Sequence, residues 1–224
     1  MKNSLFLCSL LAISFNTTGL LAEEVPLDLD RPNWQTLTYK GIPANTVQQA
    51  ADSIHIDVNA SASPLIYVFD QPQTFRTIRV SGEFIGDLPG IPTGIPQGKP
   101  GADDFAFRIG LVIAGSKTLN FAQKLIAADW VATLYDLAPE GEGIDYVRFL
   151  NLANPGAIDW EQRDHPSSKG LFRETIVSTI QSNRSFELDY ALDQPTRVLA
   201  LWISSDGDDT ASSYRIKLNN ISYH

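Results

Sequence analysis

Apolar and polar residues alternate along much of the chain, and other stretches are short, unbroken apolar runs. Alternation over residues 53–59, 75–84 and 105–114 places every second side chain on one face, which predicts strands with one buried face. Residues 65–69 and 198–203 lack this alternation and predict strands that are covered on both faces. Asn, Ser, Pro and Gly separate these stretches, and this spacing is typical of a β-sandwich.

Three further stretches complete the prediction. Apolar positions recur at helical spacing over residues 120–137, although a strand over 130–135 is an alternative. Residues 185–192 fit either a helix or a strand. The last strand changes parity at residues 219–220, where a β-bulge would return the following side chains to the inner face. We therefore predict one mainly β domain over residues 23–224, a jelly-roll-like sandwich with one or two short helices.

Residues 86–101 form a Gly/Pro-rich segment that interrupts the strand pattern. Its five glycines and four prolines exclude a helix and an internal strand. Loops of this length are usually functional or disordered, so the segment is either a binding loop or a solvated insertion. Ile91 and Ile95 favour a contact, whereas a solvated insertion would be the first site of proteolysis.

Residues 1–22 have the layout of a secretory signal peptide. Lys2 provides a positive start, residues 5–15 are apolar, and Ala22 precedes two acidic residues. The apolar stretch is too short for a membrane span, and no other stretch is long enough. We expect an exported protein, periplasmic or secreted, that begins at Glu23 and has no membrane span.

The charge and the cysteine content narrow the range of partners. A formal net charge of −9 disfavours nucleic acid and anionic membranes, and it suits neutral or cationic ligands and divalent metals. The single cysteine, Cys8, lies in the predicted signal peptide, so the mature chain would have neither a disulfide nor a catalytic thiol. A saccharide or an envelope protein fits these limits as a partner.

An acidic turn follows the apolar run 198–203. Asp206, Asp208 and Asp209 repel one another unless they are solvated, paired with arginine or bound to Ca²⁺, which takes carboxylate oxygens as ligands. Arg108 needs a partner from a neighbouring strand, because Asp104 on its own face lies ~13 Å away at about 3.3 Å per residue. Asp206 is one candidate partner. A calcium site and an arginine-paired turn both remain open.

Two short motifs resemble an exported bacterial family known as domain of unknown function 3047. Its members have an Asp-Asp-x-x-x-Arg strand, matched here by Asp103, Asp104 and Arg108. They also have a later strand that ends Asp-x-Asp-Asn-Thr, and the residues that match it are Asp206, Asp208 and Thr210, with Asp209 in place of the Asn. The resemblance implies a galactose-binding-like or concanavalin-like sandwich, and it implies no particular activity.

Catalytic patterns are weak in this sequence. A glycan hydrolase or lyase needs two acids across a cleft, and nothing in the sequence pairs the available carboxylates. The three histidines are isolated, and nucleophile-elbow, phosphate-loop and dinucleotide motifs do not occur. Trp160 lies in an irregular polar stretch, where its indole would either stack on a sugar or fold back as a plug.

The sequence thus favours an exported, non-catalytic binding module for a saccharide or an envelope component, with calcium as an optional aid. A structural or assembly protein of the envelope is the first alternative, and a carboxylate-dependent glycan hydrolase or lyase is the second. The predicted ligand-binding residues are Asp103, Asp104, Arg108, Trp160, Asp206, Asp208 and Thr210. The predicted metal ligands are Asp206, Asp208 and Asp209.

Overall fold

The computed structural model describes residues 24–120, 129–166, 168 and 170–224. The predicted signal peptide therefore lies outside the described residues. In chain order the described elements are β1 (Val25–Pro26), β2 (Trp34–Thr36), β3 (Thr46–Ala50), β4 (Ser53–Asn59), β5 (Leu65–Gly86), β6 (Phe107–Gly115), α1 (Asp129–Asp136), β7 (Gly143–Ala153), β8 (Gln162–Asp164), β9 (Phe172–Thr179), β10 (Arg184–Ser204) and β11 (Ser213–Tyr223).

The strands are hydrogen-bonded in one continuous order, β3-β4-β11-β5-β10-β6-β7-β9-β8, with β1 beside β11 and β2 beside β5. Neighbours are antiparallel except β7 and β9, which run parallel. β5 and β10 are the long central strands of 22 and 21 residues. Their pairing is interrupted between Ala191 and Thr196, which marks a corner in both strands.

The corner folds the sheet into the two layers of a sandwich. The front layer holds β3, β4 and β11 with residues 77–86 and 184–191; the back layer holds β2, β6, β7, β8 and β9 with residues 65–75 and 196–204. Phe107 of the back layer contacts Phe186 of the front layer, with ring centroids 4.9 Å apart. A straight β10 would hold these positions about 60 Å apart at 3.3 Å per residue, so the strand must fold back.

Two hydrophobic clusters follow from this arrangement. The larger lies between the layers and contains the alternating residues of the predicted strands, such as Ile56, Val80, Ile109 and Ile216. The smaller lies on the outer face of the back layer, where Leu134 of α1 packs over Val147 and Trp202. Helix α1 therefore covers part of an apolar sheet face that would otherwise contact water.

The observed elements confirm the predicted mainly β-sandwich with a short helix. The helical interpretation of residues 129–136 is confirmed and the strand alternative there is wrong, whereas residues 121–128 lie outside the described part. Residues 185–192 are strand. The predicted bulge is present, because the register between β11 and β5 shifts between Leu218 and Asn220.

The Gly/Pro-rich segment is anchored at one point rather than solvated throughout. Pro92 to Ile95 are exposed, but Gln97 is fully buried. Its backbone N–H donates to Ala157 O at 2.7 Å, and its side chain donates to Asp104 O at 2.7 Å. The anchored half thereby lies next to the start of β6.

Candidate functional site

A cleft of about 1150 Å³ opens on the outer face of the back layer. Five of the predicted ligand-binding residues line this cleft, namely Asp103, Asp104, Arg108, Asp206 and Asp208. Asp209 lines it as well. The strand topology explains this convergence, because Arg108 of β6 pairs in register with Ser204 of β10, two residues before Asp206. The predicted composite of the two motifs is therefore present on one concave surface.

Arg108 occupies the centre of the cleft. One of its Nη atoms donates a hydrogen bond to Asp206, and the other lies 3.6 Å from Glu174 Oε1. Its guanidinium also lies over the rings of Phe105 and Phe149, 5.2 and 5.6 Å from their centroids. Burial alone would lower the pKa of Arg108. The facing carboxylates raise this pKa by a larger amount, so it lies above its usual value and the guanidinium stays charged.

Asp206 is the buried partner of this arginine. Its other oxygen accepts a hydrogen bond of 2.7 Å from the Ser204 hydroxyl. Burial raises the pKa of Asp206 above its usual value, while Arg108 and Ser204 oppose that shift. The carboxylate is thus held in place by two side chains rather than left free in the turn.

A second arginine extends the charged network along the cleft. Arg163 donates to Glu174 at 2.6 Å and lies 3.6 Å from Asp103, which in turn contacts His165 Nε2 at 3.3 Å. Burial alone would raise the pKa of Asp103, but His165 and the two arginines lower it. The network is a chain of alternating charges, Asp206–Arg108–Glu174–Arg163–Asp103, that ends at the His165 ring.

The Asp103-Asp104 pair also fixes the acidic turn. Asp104 accepts hydrogen bonds from the backbone and the hydroxyl of Thr210, at 2.7 and 2.6 Å, and Asp209 accepts one from Asp103 N at 2.9 Å. Thr210 therefore supports the turn and does not line the cleft. The two motifs of the sequence form one hydrogen-bonded unit at the cleft rim.

Asp208 differs from its neighbours because it is half-buried and faces the cleft without a side-chain donor among the described residues. Burial, together with the charges of Asp104 and Asp206, raises its pKa to about 6. In the described part of the chain, no group of three or more His, Cys, Asp or Glu side chains is arranged to hold a metal ion. The calcium site at Asp206, Asp208 and Asp209 stays a prediction.

Aromatic side chains form the apolar side of the cleft. Trp202 is buried at its base and meets Trp130, Phe149 and Phe172 edge to face, at centroid distances of 5.8, 5.6 and 5.7 Å. Trp130, Phe172 and Tyr39 are half-buried, and the Tyr39 ring lies 5.9 Å from the Trp130 ring. Trp202 Nε1 is a buried donor without a hydrogen-bond partner among the described residues.

Trp160 does not line the cleft. Its Nε1 donates to Gln97 O at 3.0 Å, and the Arg163 guanidinium lies over its ring, 4.1 Å from the centroid. Of the two alternatives for Trp160, the structure shows the indole folded back against the protein. Trp160 holds Arg163 and the anchored loop in place, so its contribution to the cleft is indirect.

The sequence pattern did not identify Glu174, Tyr39 and Trp130 as cleft residues, nor Arg163 as the partner of Glu174. Glu174 and Arg163 are paired across β9 and β8, but β8 has only three residues and no recognisable alternation. Trp130 packs with the outer-face cluster while also lining the cleft. The one available signal was Glu174 itself, an acid beside Arg173 in an otherwise uncharged strand.

No helix of the described residues is long and apolar enough to cross a membrane. No family model matches the chain, and no curated protein matches it. The resemblance to domain of unknown function 3047 therefore stays a prediction.

Three solved structures show distant similarity. The carbohydrate recognition domain of Emp47p is 10% identical with a TM-score of 0.40, covering 89% of this chain and 93% of that one. The xylan-binding module CBM15 is 10% identical with a TM-score of 0.36, covering 89% and 94%. The enzymatically active domain of tailspike protein 4 from bacteriophage CBA120 is 7% identical with a TM-score of 0.38, covering 86% of this chain but 19% of that one.

Proposed function

We propose that this protein is a non-catalytic saccharide-binding module and that the cleft beside Arg108 is its binding site. The observation that supports this is the presence of half-buried aromatic rings and fixed charged groups in one cleft. Pyranose rings have apolar C–H faces and polar hydroxyl edges, so a site of this composition suits them. Tyr39, Trp130 and Phe172 supply the apolar surface.

The charged groups are positioned before any ligand arrives. Arg108 and Asp206 fix each other, and Asp104 is fixed by Thr210, so these groups lose little freedom on binding. Their remaining donor and acceptor positions are available to hydroxyl groups. The unpartnered Nε1 of Trp202 is one more donor at the base of the cleft.

The sign of the charge limits the class of saccharide. Six carboxylates line the cleft, against the cations Arg108 and Lys40 and the titratable His165. A uronic acid or a sulfated sugar would be repelled by this excess of negative charge, whereas neutral sugars and amino sugars would not. We therefore propose a neutral or amino sugar as the ligand of the cleft.

One observation favours the hydrolase alternative. Asp208 has a pKa of about 6, which is the property of a general acid in glycoside hydrolysis. Against catalysis, the other five cleft carboxylates each accept a hydrogen bond or an ion pair from the protein, so none beside Asp208 is free of protein donors; they are Asp103, Asp104, Glu174, Asp206 and Asp209. An assembly role in the envelope has no comparable support from the cleft.

The test is a binding survey with matched tryptophan variants. Mature protein that begins at Glu23 is applied to an array of neutral and amino-bearing oligosaccharides, and hits are titrated by calorimetry. Trp130→Ala should weaken binding about tenfold or more, the loss expected for about 1.4 kcal/mol of stacking. Trp160→Ala is the comparison, because its indole lies outside the cleft and only supports Arg163, so binding should weaken less than in Trp130→Ala.

Three outcomes would contradict the proposal. Absence of any saccharide ligand removes it, and so does a loss of binding in Trp160→Ala that Trp130→Ala does not share. New reducing ends in the titrated oligosaccharide would establish the hydrolase instead. Circular dichroism of each variant verifies that the sandwich is intact before binding is compared.

A further inference from the structure

Two arginines face each other on the inner face of the back layer, on the opposite side of the sheet from the cleft. Arg148 of β7 and Arg173 of β9 are direct partners in the parallel register. Arg148 alternates with Phe149, which faces the cleft, and shares its side with Leu150 of the inner core. Like charges directly opposite on neighbouring strands destabilise a sheet, so the pair needs an explanation.

Tyrosines surround the two guanidinium groups. The Arg173 guanidinium lies over the Tyr146 ring at 3.8 Å from the centroid, and that of Arg148 lies 5.8 Å from the same ring. Arg148 donates long hydrogen bonds to Tyr190 Oη at 3.4 Å and to Tyr146 Oη at 3.3 Å. The stack holds the planar groups in a fixed orientation while leaving most of their N–H donors unused.

Neither arginine has an ion-pair partner among the described residues, although the chain has 26 acidic residues against 17 basic ones. On the opposite edge of β9, Asp164 of β8 is the register partner of Arg173. The Arg173 guanidinium nevertheless lies over the Tyr146 ring and forms no ion pair with Asp164. Arg148 Nε is a buried donor without a hydrogen-bond partner in the described structure. Positive charge and donor capacity are therefore both uncompensated at this point.

We propose that Arg148 and Arg173 form a binding site for an anionic group, a carboxylate, sulfate or phosphate, with the two tyrosines as its walls. Each guanidinium offers a planar fork of donors that matches the two oxygens of such a group. An anion between the arginines would also replace their mutual repulsion with two attractions. The site is independent of the sugar cleft, because the sheet separates them.

The experiment uses two probes on the mature protein and a matched set of variants. Calorimetric titration with inorganic phosphate tests a free anion, and titration with oligogalacturonate tests an acidic sugar, with its methyl ester as the uncharged control. Wild type should bind one or both charged probes, and any affinity for the ester belongs to the neutral-sugar cleft and should be the same in Arg173→Gln as in wild type. Binding of phosphate alone would assign a small anion, and binding of oligogalacturonate would assign an acidic glycan.

Arg173→Gln should weaken the binding about tenfold or more, since it removes one charge-assisted contact. Arg148→Lys should weaken it similarly, because lysine keeps the charge but not the fork. Arg184→Gln, an exposed arginine on β10, removes the same charge elsewhere and should bind as wild type does. Failure of wild type to bind either charged probe overturns the proposal, as do equal affinities in Arg173→Gln and Arg184→Gln.

Discussion

At the scale of single residues, Arg108 determines whether the cleft is stable. It is the cation between two buried carboxylates, Asp206 and Glu174, whose side chains are 5% and 0% exposed. Buried charges are tolerated only while they are paired and hydrogen-bonded. Removing this one side chain would leave Asp206 without its counterion in a desolvated position.

Arg108→Met should therefore lower the free energy of unfolding by about 3–5 kcal/mol, the range for breaking a buried ion pair. Urea denaturation followed by tryptophan fluorescence measures this change. The double variant Arg108→Met with Asp206→Leu should recover part of the loss, because an apolar pair replaces the orphaned charge. A loss below about 1 kcal/mol in Arg108→Met would show that water reaches the pair.

Asp208 gives the cleft a defined response to pH. Its pKa in the folded state is about 6, above the ordinary value of 3.8. Between pH 3.8 and about 6, the folded state therefore keeps a proton on Asp208 that the unfolded state has released. Stability should rise as the pH falls through this window, and the ionised carboxylate lowers stability at pH 7. Asp104 and Asp206 are the main neighbouring charges responsible.

Asp208→Asn should raise the stability at pH 7 by about 1 kcal/mol, a value reduced to allow for solvent screening at this half-exposed position. For a domain of this size the melting temperature would rise by roughly 2–4 °C. The rise should vanish near pH 4, where wild type is protonated as well. Asp193→Asn removes the same charge at an exposed site, and an equal rise there would make the effect one of net charge alone.

The alternation of apolar and polar residues was enough to predict one contact of the cleft, the pair formed by Arg108 and Asp206. The outward position of Arg108 required a partner from the next strand, and Asp206 follows the apolar run that proved to be that strand. Glu174 could not be assigned to the cleft, because it arrives there through the parallel pairing of β7 with β9, and its partner Arg163 lies on the three-residue strand β8. The position of Trp160 depends on where Gln97 anchors a distant loop.

At the scale of elements, the bulge in β11 keeps one face of the last strand in the core. Leu218 and Asn220 pair with the consecutive residues Gly82 and Ser81, so Asn219 is the additional residue. Both Leu218 and Ile221 are consequently fully buried despite their odd spacing. The bulge was predictable because the apolar residues switch from one set of alternate positions to the other at residues 219–220, and few other features allow both sets to face the core.

Deletion of Asn219 should remove the bulge and leave Leu218 and Ile221 two positions apart on the same face, so both stay buried and paired as before. We expect this deletion to cost no more than about 1 kcal/mol, whereas deletion of Lys217 should turn Leu218 to the opposite face and cost about 2–5 kcal/mol, the scale of removing one large buried aliphatic side chain. Asn219→Ala is the control and should cost no more than about 0.5 kcal/mol, since this exposed side chain makes one hydrogen bond of 3.3 Å to Glu83. Thermal unfolding compares the two deletions, and equal melting temperatures would contradict the assignment of Asn219 as the bulged residue.

The strand boundaries show where sequence reasoning fails for elements. Residues 65–69 and 75–84 were predicted as separate strands, yet both belong to β5. The polar residues between them stay within β5 on the back-layer side of the corner, opposite the register shift between Val198 and Ala200. An irregularity within a strand has the same composition as a loop between strands, and only the pairing with β10 on both sides of it distinguishes the two.

At the scale of the whole molecule, β5 and β10 belong to both layers and make the sandwich a single cooperative unit. Urea unfolding should show one transition, with the same midpoint by far-UV circular dichroism and by tryptophan fluorescence. The comparison is informative because Trp34 and Trp202 belong to the back layer, whereas circular dichroism reports strands of both layers. A fluorescence midpoint below that of circular dichroism would show that the back layer opens first.

The same two strands set the speed at which the molecule forms. Arg184 pairs with Phe84 and Ile203 pairs with Leu65, so the central contacts join partners about 100 or more positions apart. The chain must lose the entropy of closing this long loop before the contacts stabilise it, and sandwiches with such distant pairings fold in milliseconds to seconds or more slowly. Until β10 meets β5, the apolar edge strands of each half lie open to other chains, so the nascent protein has a long interval in which it requires protection from aggregation.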